Sequence, residues 1–307
     1  MSGQQNASLH IAGAWDIYPP GSLRNTVRKA LKQALFYVYL YCGWVQVRDL
    51  VLSMLGRSRV VILYYHRVGW ADVLTKPTRA FRCDMQYLAR RYECLTLSAL
   101  VERLKSGVPI RRKIAVVTFD DGYADNHSMA FPELLRAGVP ATFFVTTGFI
   151  GTERSFAHDT RALGRGAAAR DDWAKMSWDD LREMQKAGME IGSHTVDHVN
   201  MGQSEEATVR GQALESLAAL QRELGPGKRG FCYPWGGPWD TSEIAGKVLG
   251  ESGYYAAVTT MPGTVRRNDD LLKLRRVDVG NGHLTRIATR AAIEGCGCGW
   301  LARLLLR

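Results

Sequence analysis

A chain of 307 residues with 46% apolar content can hold one large α/β domain with appendages and bury a substantial core, which excludes disorder as its default state. Its formal charge of +10 sits on two flanks: residues 1–59 carry seven Lys/Arg against two Asp/Glu, residues 265–307 carry nine against four, and the middle is balanced. Both flanks are also apolar, a pattern that fits an anionic membrane surface better than a nucleic acid, whose enzymes gather positive charge around the active site.

Residues 1–21 hold glycines and prolines without periodicity, lack the charged and apolar regions of a secretory signal, and are expected as a loose tail. From Ser22 to Leu55 the chain predicts one or two helices, basic first (Arg24, Arg28, Lys29, Lys32) and then apolar from Ala34 to Val47. The apolar run is too short for a membrane span, which needs roughly 20 residues, so residues 22–57 are expected in the membrane interface or packed on the protein's own surface. The unbroken apolar run Val60–Tyr65 predicts a buried strand that delivers His66 to its carboxyl end and opens a catalytic domain over 58–295. A helix at 79–91, a strand at 93–97 and a helix at 98–105 follow.

The stretch Ile114–Asn126 (IAVVTFDDGYADN) runs from a buried strand straight into Asp120, Asp121 and Gly122. Parallel α/β folds put their chemistry at such strand ends, although Asp-Asp-Gly alone is also an ordinary turn. A helix at 126–137 and a strand at 139–146 come next, then a Gly/Ala/Arg-rich loop at 151–175 and a helix at 177–186 capped by Ser177. Strand 189–193 presents GSHTVDH, in which His194 and His198 stand four apart, as on one face of a helical turn. The remaining elements are a helix at 204–224, a strand at 230–233 entering Pro234-Trp235-Gly236-Gly237, a helix at 241–252, a strand at 254–259 and an edge segment at 272–279. This alternation argues for a parallel barrel or a doubly wound sheet. The apolar, basic segment 296–307 is a second candidate interfacial contact or a core-docking terminal helix. There is no GxGxxG or Walker pattern to support nucleotide binding, and the six cysteines make neither a CxxC pair nor a disulfide framework, which points to a reducing compartment.

One carboxylate and two imidazoles make the three-ligand shell of a catalytic zinc site, leaving the second carboxylate as a base for hydrolysis of a carbonyl compound. TFDDGY at 118–123, SHTVDH at 193–198 and YPWG at 233–236, preceded by LYYHRV at 63–68, resemble the polysaccharide deacetylase (NodB-like, carbohydrate esterase family four) domain. The resemblance implies a distorted (β/α)7 barrel, with Asp120 as catalytic base and Asp121, His194 and His198 as ligands of a divalent cation: zinc, or else cobalt, nickel or manganese. It further implies that Trp235, held between Pro234 and Gly236, offers a backbone N–H to the oxyanion, with Tyr123 also in the substrate region.

Three departures follow. Cys232 stands where many members have an arginine that orients the base, as in the variant of exopolysaccharide-linked and poly-N-acetylglucosamine deacetylases. The fourth motif falls on Arg275-Arg276-Val277-Asp278, with Asp278 expected to orient polar groups. The fifth motif, a strand ending in a general-acid histidine, is not visible, which leaves His283 and His66 as candidates. The reading is therefore a metal-dependent N-deacetylase acting on an N-acetylated glycan or glycolipid in bacterial surface polysaccharide synthesis. It is placed in the cytoplasm or peripherally on the inner membrane. Its alternatives are a deformylase of a lipid-linked sugar and an inactive glycan-binding relative.

Overall fold

The computed structural model describes residues 23–69, 75–156, 159, 173–280 and 285–295. The tails at 1–21 and 296–307, most of the 151–175 loop, and His283 lie outside them. The order is α1 (Leu23–Tyr41), α2 (Trp44–Met54), β1 (Val60–Tyr65), β2 (Arg67–Gly69), β3 (Thr75–Pro77), α3 (Thr78–Arg91), β4 (Glu93–Leu95), α4 (Leu97–Lys105) and β5 (Ile114–Phe119). Then come α5 (Phe131–Ala137), β6 (Ala141–Val145), α6 (Trp178–Lys186), β7 (Glu190–Ser193), α7 (Glu206–Leu224), β8 (Phe231–Cys232), α8 (Glu243–Glu251), β9 (Ala257–Pro262), β10 (Leu274–Asp278) and α9 (Arg286–Ile293).

All the strand pairs are parallel. β1 pairs with both β5 and β10, so β1, β5, β6, β7, β8, β9 and β10 close into a seven-stranded ring. β4 pairs with the first half of β5 and β6 with the second half, which makes β4 an eighth strand outside the ring. The segment at 272–279 is thus no edge: β10 is the strand that shuts the barrel. Its apolar run is broken by Arg275 and Arg276, which is why it reads as peripheral in the sequence.

Every residue of β1, β5 and β6 is buried, as runs without alternation require. Side chains still alternate by the pleat. Val61, Leu63 and Tyr65 with Ala115, Val117 and Phe119 face a layer built by Phe81, Leu88, Leu134 and Leu181 of the outer helices. Val60, Ile62, Ile114 and Val116 join Val258 and Leu274 in a second core, which α4 fills with Leu97, Leu100 and Leu104. The apolar filling lies at the strands' amino ends, so polar side chains are free to gather at their carboxyl ends.

The expected helix over 126–137 opens with one wide turn, Asn126–Ala130, in which the Phe131 N–H reaches back to the Asn126 carbonyl. β2 and β3 form a separate two-stranded sheet. At the other side, α1 and α2 are two helices joined at Gly43, whose φ of 90° only glycine adopts readily. One face of the pair packs on α9 through Phe36, Leu40, Ile287 and Ala291. The joint is polar as well: the Glu294 carboxylate accepts from Tyr87 (2.7 Å), Lys113 (2.8 Å), Tyr92 (2.9 Å) and Arg48 (3.1 Å). Its carbonyl accepts from Tyr39 and from Arg48.

Candidate active site

Asp120 and Asp121 follow β5 as its last buried residues bring the chain out of the barrel. The exit is sharp: Asp121 has φ 76° and Gly122 φ 89°, and a Cβ on Gly122 would stand 2.9 Å from Ile150 Cδ1, so the turn accepts only glycine there. His194 and His198 follow β7. They do not sit on a helical turn, contrary to the spacing argument. Thr195 and His198 have φ of 68° and 56°, and this bent loop folds the second imidazole back towards the first, with ring centroids 4.9 Å apart. With Trp235 (φ 58°), Asp121, Thr195 and His198 are the non-glycine residues of left-handed backbone among those described, and all four lie here.

The Nε2 atoms of His194 and His198 each stand 3.4 Å from Asp121 Oδ1. Two bonds of about 2.1 Å meeting at a tetrahedral angle separate their outer atoms by about 3.4 Å, so the trio has the spacing of a metal's ligand face. The tautomer agrees. His194 Nδ1 donates to the Cys232 carbonyl at 2.8 Å, which fixes the ring and leaves the Nε2 lone pair directed at Asp121. The three ligand atoms lie within 4.8 Å of one another, and the site fits one divalent cation bound by one carboxylate and two neutral imidazoles.

Asp120 is held by Arg276, which the sequence reading passed over in favour of Asp278. The guanidinium is wholly buried and makes a fork on the carboxylate, 2.8 Å to Oδ1 and 2.7 Å to Oδ2. Its other three N–H groups go to the Thr259 carbonyl (2.8 Å), Thr118 Oγ1 (3.0 Å) and Cys232 Sγ (3.2 Å), so all five donors have acceptors. The Tyr64 ring lies under it, 4.5 Å from its centre. Cys232, at the position where an arginine was expected, is therefore an acceptor for an arginine delivered from β10. Burial pushes the Asp120 carboxyl up, but Arg276, with smaller help from His194 and His66, outweighs it and holds the group below its ordinary value.

Asp278 stands across from Tyr64 in the β1–β10 register, where burial, helped by the Asp278 charge, pushes the Tyr64 hydroxyl's pKa up, and it accepts from the Gly280 N–H at 3.1 Å. It is exposed, and no hydrogen bond among the described residues joins it to Arg276 or Asp120. His66 leaves β1 half-buried, edge-on to Tyr64, with its carbonyl anchored by Asn126 Nδ2 at 2.8 Å and its ring close enough to bear on the Asp120 charge.

On one side of the metal ligands stands an aromatic wall of Tyr123, Phe149, Phe156 and Trp173, with Phe156 5.1 Å from the His198 ring. Tyr123 is buried in that wall and its hydroxyl donates to Asp159 at 2.5 Å, so it shapes the wall from behind. On the other side Trp235, half-exposed, lies 4.6 Å from His198. Its turn is tied down by the Gly236 N–H to Pro234 carbonyl bond (2.7 Å) and by Thr260, which donates its hydroxyl to the Trp235 carbonyl (2.6 Å) and its N–H to the Gly236 carbonyl (2.9 Å). These bonds hold the Trp235 peptide beside the ligand set.

Comparisons with known proteins agree with this geometry. Residues 107–257 match the polysaccharide deacetylase family. The chain is 26% identical over 226 residues to the putative polysaccharide deacetylase YxkH of Bacillus subtilis, covering 73% of each. Among solved structures it resembles the Streptococcus pyogenes deacetylase PplD in complex with acetate (TM-score 0.64, 20% identity, 76% of this chain and 97% of that one). It also resembles IcaB from Ammonifex degensii (TM-score 0.60, 25% identity, 72% and 91%). Residues 107–257 thus match the polysaccharide deacetylase family, within a chain that folds, like PplD, as a parallel barrel of seven strands.

Proposed function

We propose that the protein is a metal-dependent hydrolase that removes N-acetyl groups from a bacterial surface glycan or glycolipid, releasing acetate and a free amine. The observation that carries this reading is the pairing of a three-ligand metal face with a separate carboxylate, Asp120, locked by Arg276 in its ionised form. Asp121, His194 and His198 would hold the cation, with zinc preferred for one carboxylate and two imidazoles. Such a cation polarises a carbonyl and acidifies water. The chain's own groups do the rest. Asp120 takes the proton from the water whose oxygen adds to the amide carbon, and the Trp235 N–H donates to the oxygen on which negative charge develops. When the C–N bond breaks, the amine nitrogen needs one proton, which protonated Asp120 returns or His66 supplies. Between them, the aromatic wall and Trp235 give the sugar two apolar faces.

The test is metal analysis of the purified protein alongside acetate release from a panel of N-acetylated glycans, with N-formyl counterparts in parallel. One divalent ion per chain and acetate release are expected, with His194→Ala losing both. Formate release in place of acetate would move the assignment to a deformylase, and stoichiometric metal in His194→Ala would sink the ligand set.

A further inference from the structure

Beyond the reaction, the structure carries a surface that the barrel does not use. α1 and α2 bury Phe36, Leu40 and Val45 but leave a second apolar face bare. Leu31, Val38, Trp44, Val47, Leu50 and Met54 are between 57% and 63% exposed, and their spacing puts them on one side of each helix. Most of the exposed large apolar side chains among the described residues are on these two helices. A soluble surface seldom leaves so many large apolar side chains bare on two adjacent helices. Tyr37 and Tyr41 stack at its border, 5.9 Å apart, beside Trp44, and such rings favour the headgroup depth of a bilayer. Lys29 is exposed on α1, and Lys32 lies over the Phe36 ring, 5.6 Å from its centre.

We infer that this α1–α2 face docks on an anionic lipid bilayer, lying in the interface. No helix among the described residues is long and apolar enough to cross one. Charge decides between a bilayer and a second copy of the chain: the α1 sequence holds Arg24, Arg28, Lys29 and Lys32 and no acidic residue, so an anionic surface neutralises it, whereas a twofold self-interface would set that charge against itself. The face is held rigidly on the barrel by the Arg48 and Tyr39 bonds to Glu294, so docking fixes the orientation of the whole enzyme on the lipid.

The experiment is flotation of the full chain with vesicles of phosphatidylcholine alone and of phosphatidylcholine mixed with phosphatidylglycerol, with light scattering on the lipid-free protein. Binding to the anionic vesicles is expected, weakened but not abolished by salt, because screening acts on the lysines and not on the apolar contact. The Leu31→Ser/Val38→Ser/Leu50→Ser and Lys29→Glu/Lys32→Glu variants should each partition about tenfold or more less well. Leu135→Ser/Leu214→Ser, which changes exposed leucines elsewhere, should float like the parent, and thermal unfolding checks that each variant folds. The inference falls if the parent stays unbound to anionic vesicles at low salt, or if all variants float alike. It falls equally if the parent is a dimer that the serine variant turns into a monomer.

Discussion

Replacing Arg276 by lysine keeps one positive charge and loses the fork, because an ammonium cannot span both oxygens of Asp120. Arg276→Lys is expected to keep its metal and to lower kcat by roughly 100-fold, the size of an acid–base effect, through misplacement of Asp120. The acid limb of its kcat/KM profile should also move to higher pH, since a weaker partner no longer holds the Asp120 carboxyl as far down against burial. An unmoved limb would mean that Arg276 only fills space. Asp120→Asn makes the complementary case: metal content unchanged, turnover lower by about 100-fold or more, measured by acetate release. Wild-type turnover there would remove Asp120 from the chemistry.

At the scale of elements, Glu294 joins α9 to α2, to α3 through Tyr87, and to the start of β5 through Lys113. Burial alone would raise its carboxyl, but Lys113 and the two tyrosines outweigh it and hold it below its ordinary value of 4.5. The folded protein therefore binds this proton less readily than the unfolded chain. The stability so contributed is fully present above about pH 4.5 and is lost as pH falls through the lower folded value. Glu294→Gln should cost on the order of 2 kcal/mol at neutral pH, less than a fully buried pair because Arg48 and Lys113 keep some water. Denaturant titrations should show that gap closing in acid. A constant gap from neutral pH down to about pH 3 would mean that the charge contributes nothing.

For the molecule as a whole, the barrel stands on cores that do not include the proposed metal ligands, and His194 is already oriented by Cys232. Chelation is thus expected to abolish turnover while leaving the far-ultraviolet circular dichroism and a cooperative unfolding transition in place, at a lower Tm. Loss of the secondary-structure signal on chelation would show the metal to be part of the fold. The sequence made much of this architecture legible. The runs at 60–65, 114–119 and 139–146 name their own strands, and the motifs after 119 and 193 name the three residues that the structure brings together at the candidate metal site. Other parts stayed hidden for physical reasons. A buried arginine looks like a surface one until Thr118, Asp120 and Cys232, far away in the chain, are seen around it, so β10 passed for an edge. Strands of three residues such as β2 and β3 carry no period to detect. The convergence of His194 and His198 comes from two residues in an uncommon backbone region, which spacing alone cannot reveal.

Thr195 is the most telling of those positions, being β-branched, buried, and with a hydroxyl that finds no hydrogen-bond partner among the described residues. Left-handed backbone at such a residue costs about 1–2 kcal/mol. The fold thus carries a local debt that a glycine at 195 would cancel, and Thr195→Gly is expected to melt higher than the parent. The loop between the two imidazoles would then be free to relax, and metal affinity, read by competition with a chelator, should fall as Tm rises. Stability and function are set against each other at one side chain, so selection for heat resistance alone would be expected to loosen first the loop that carries the two imidazoles of the proposed metal site.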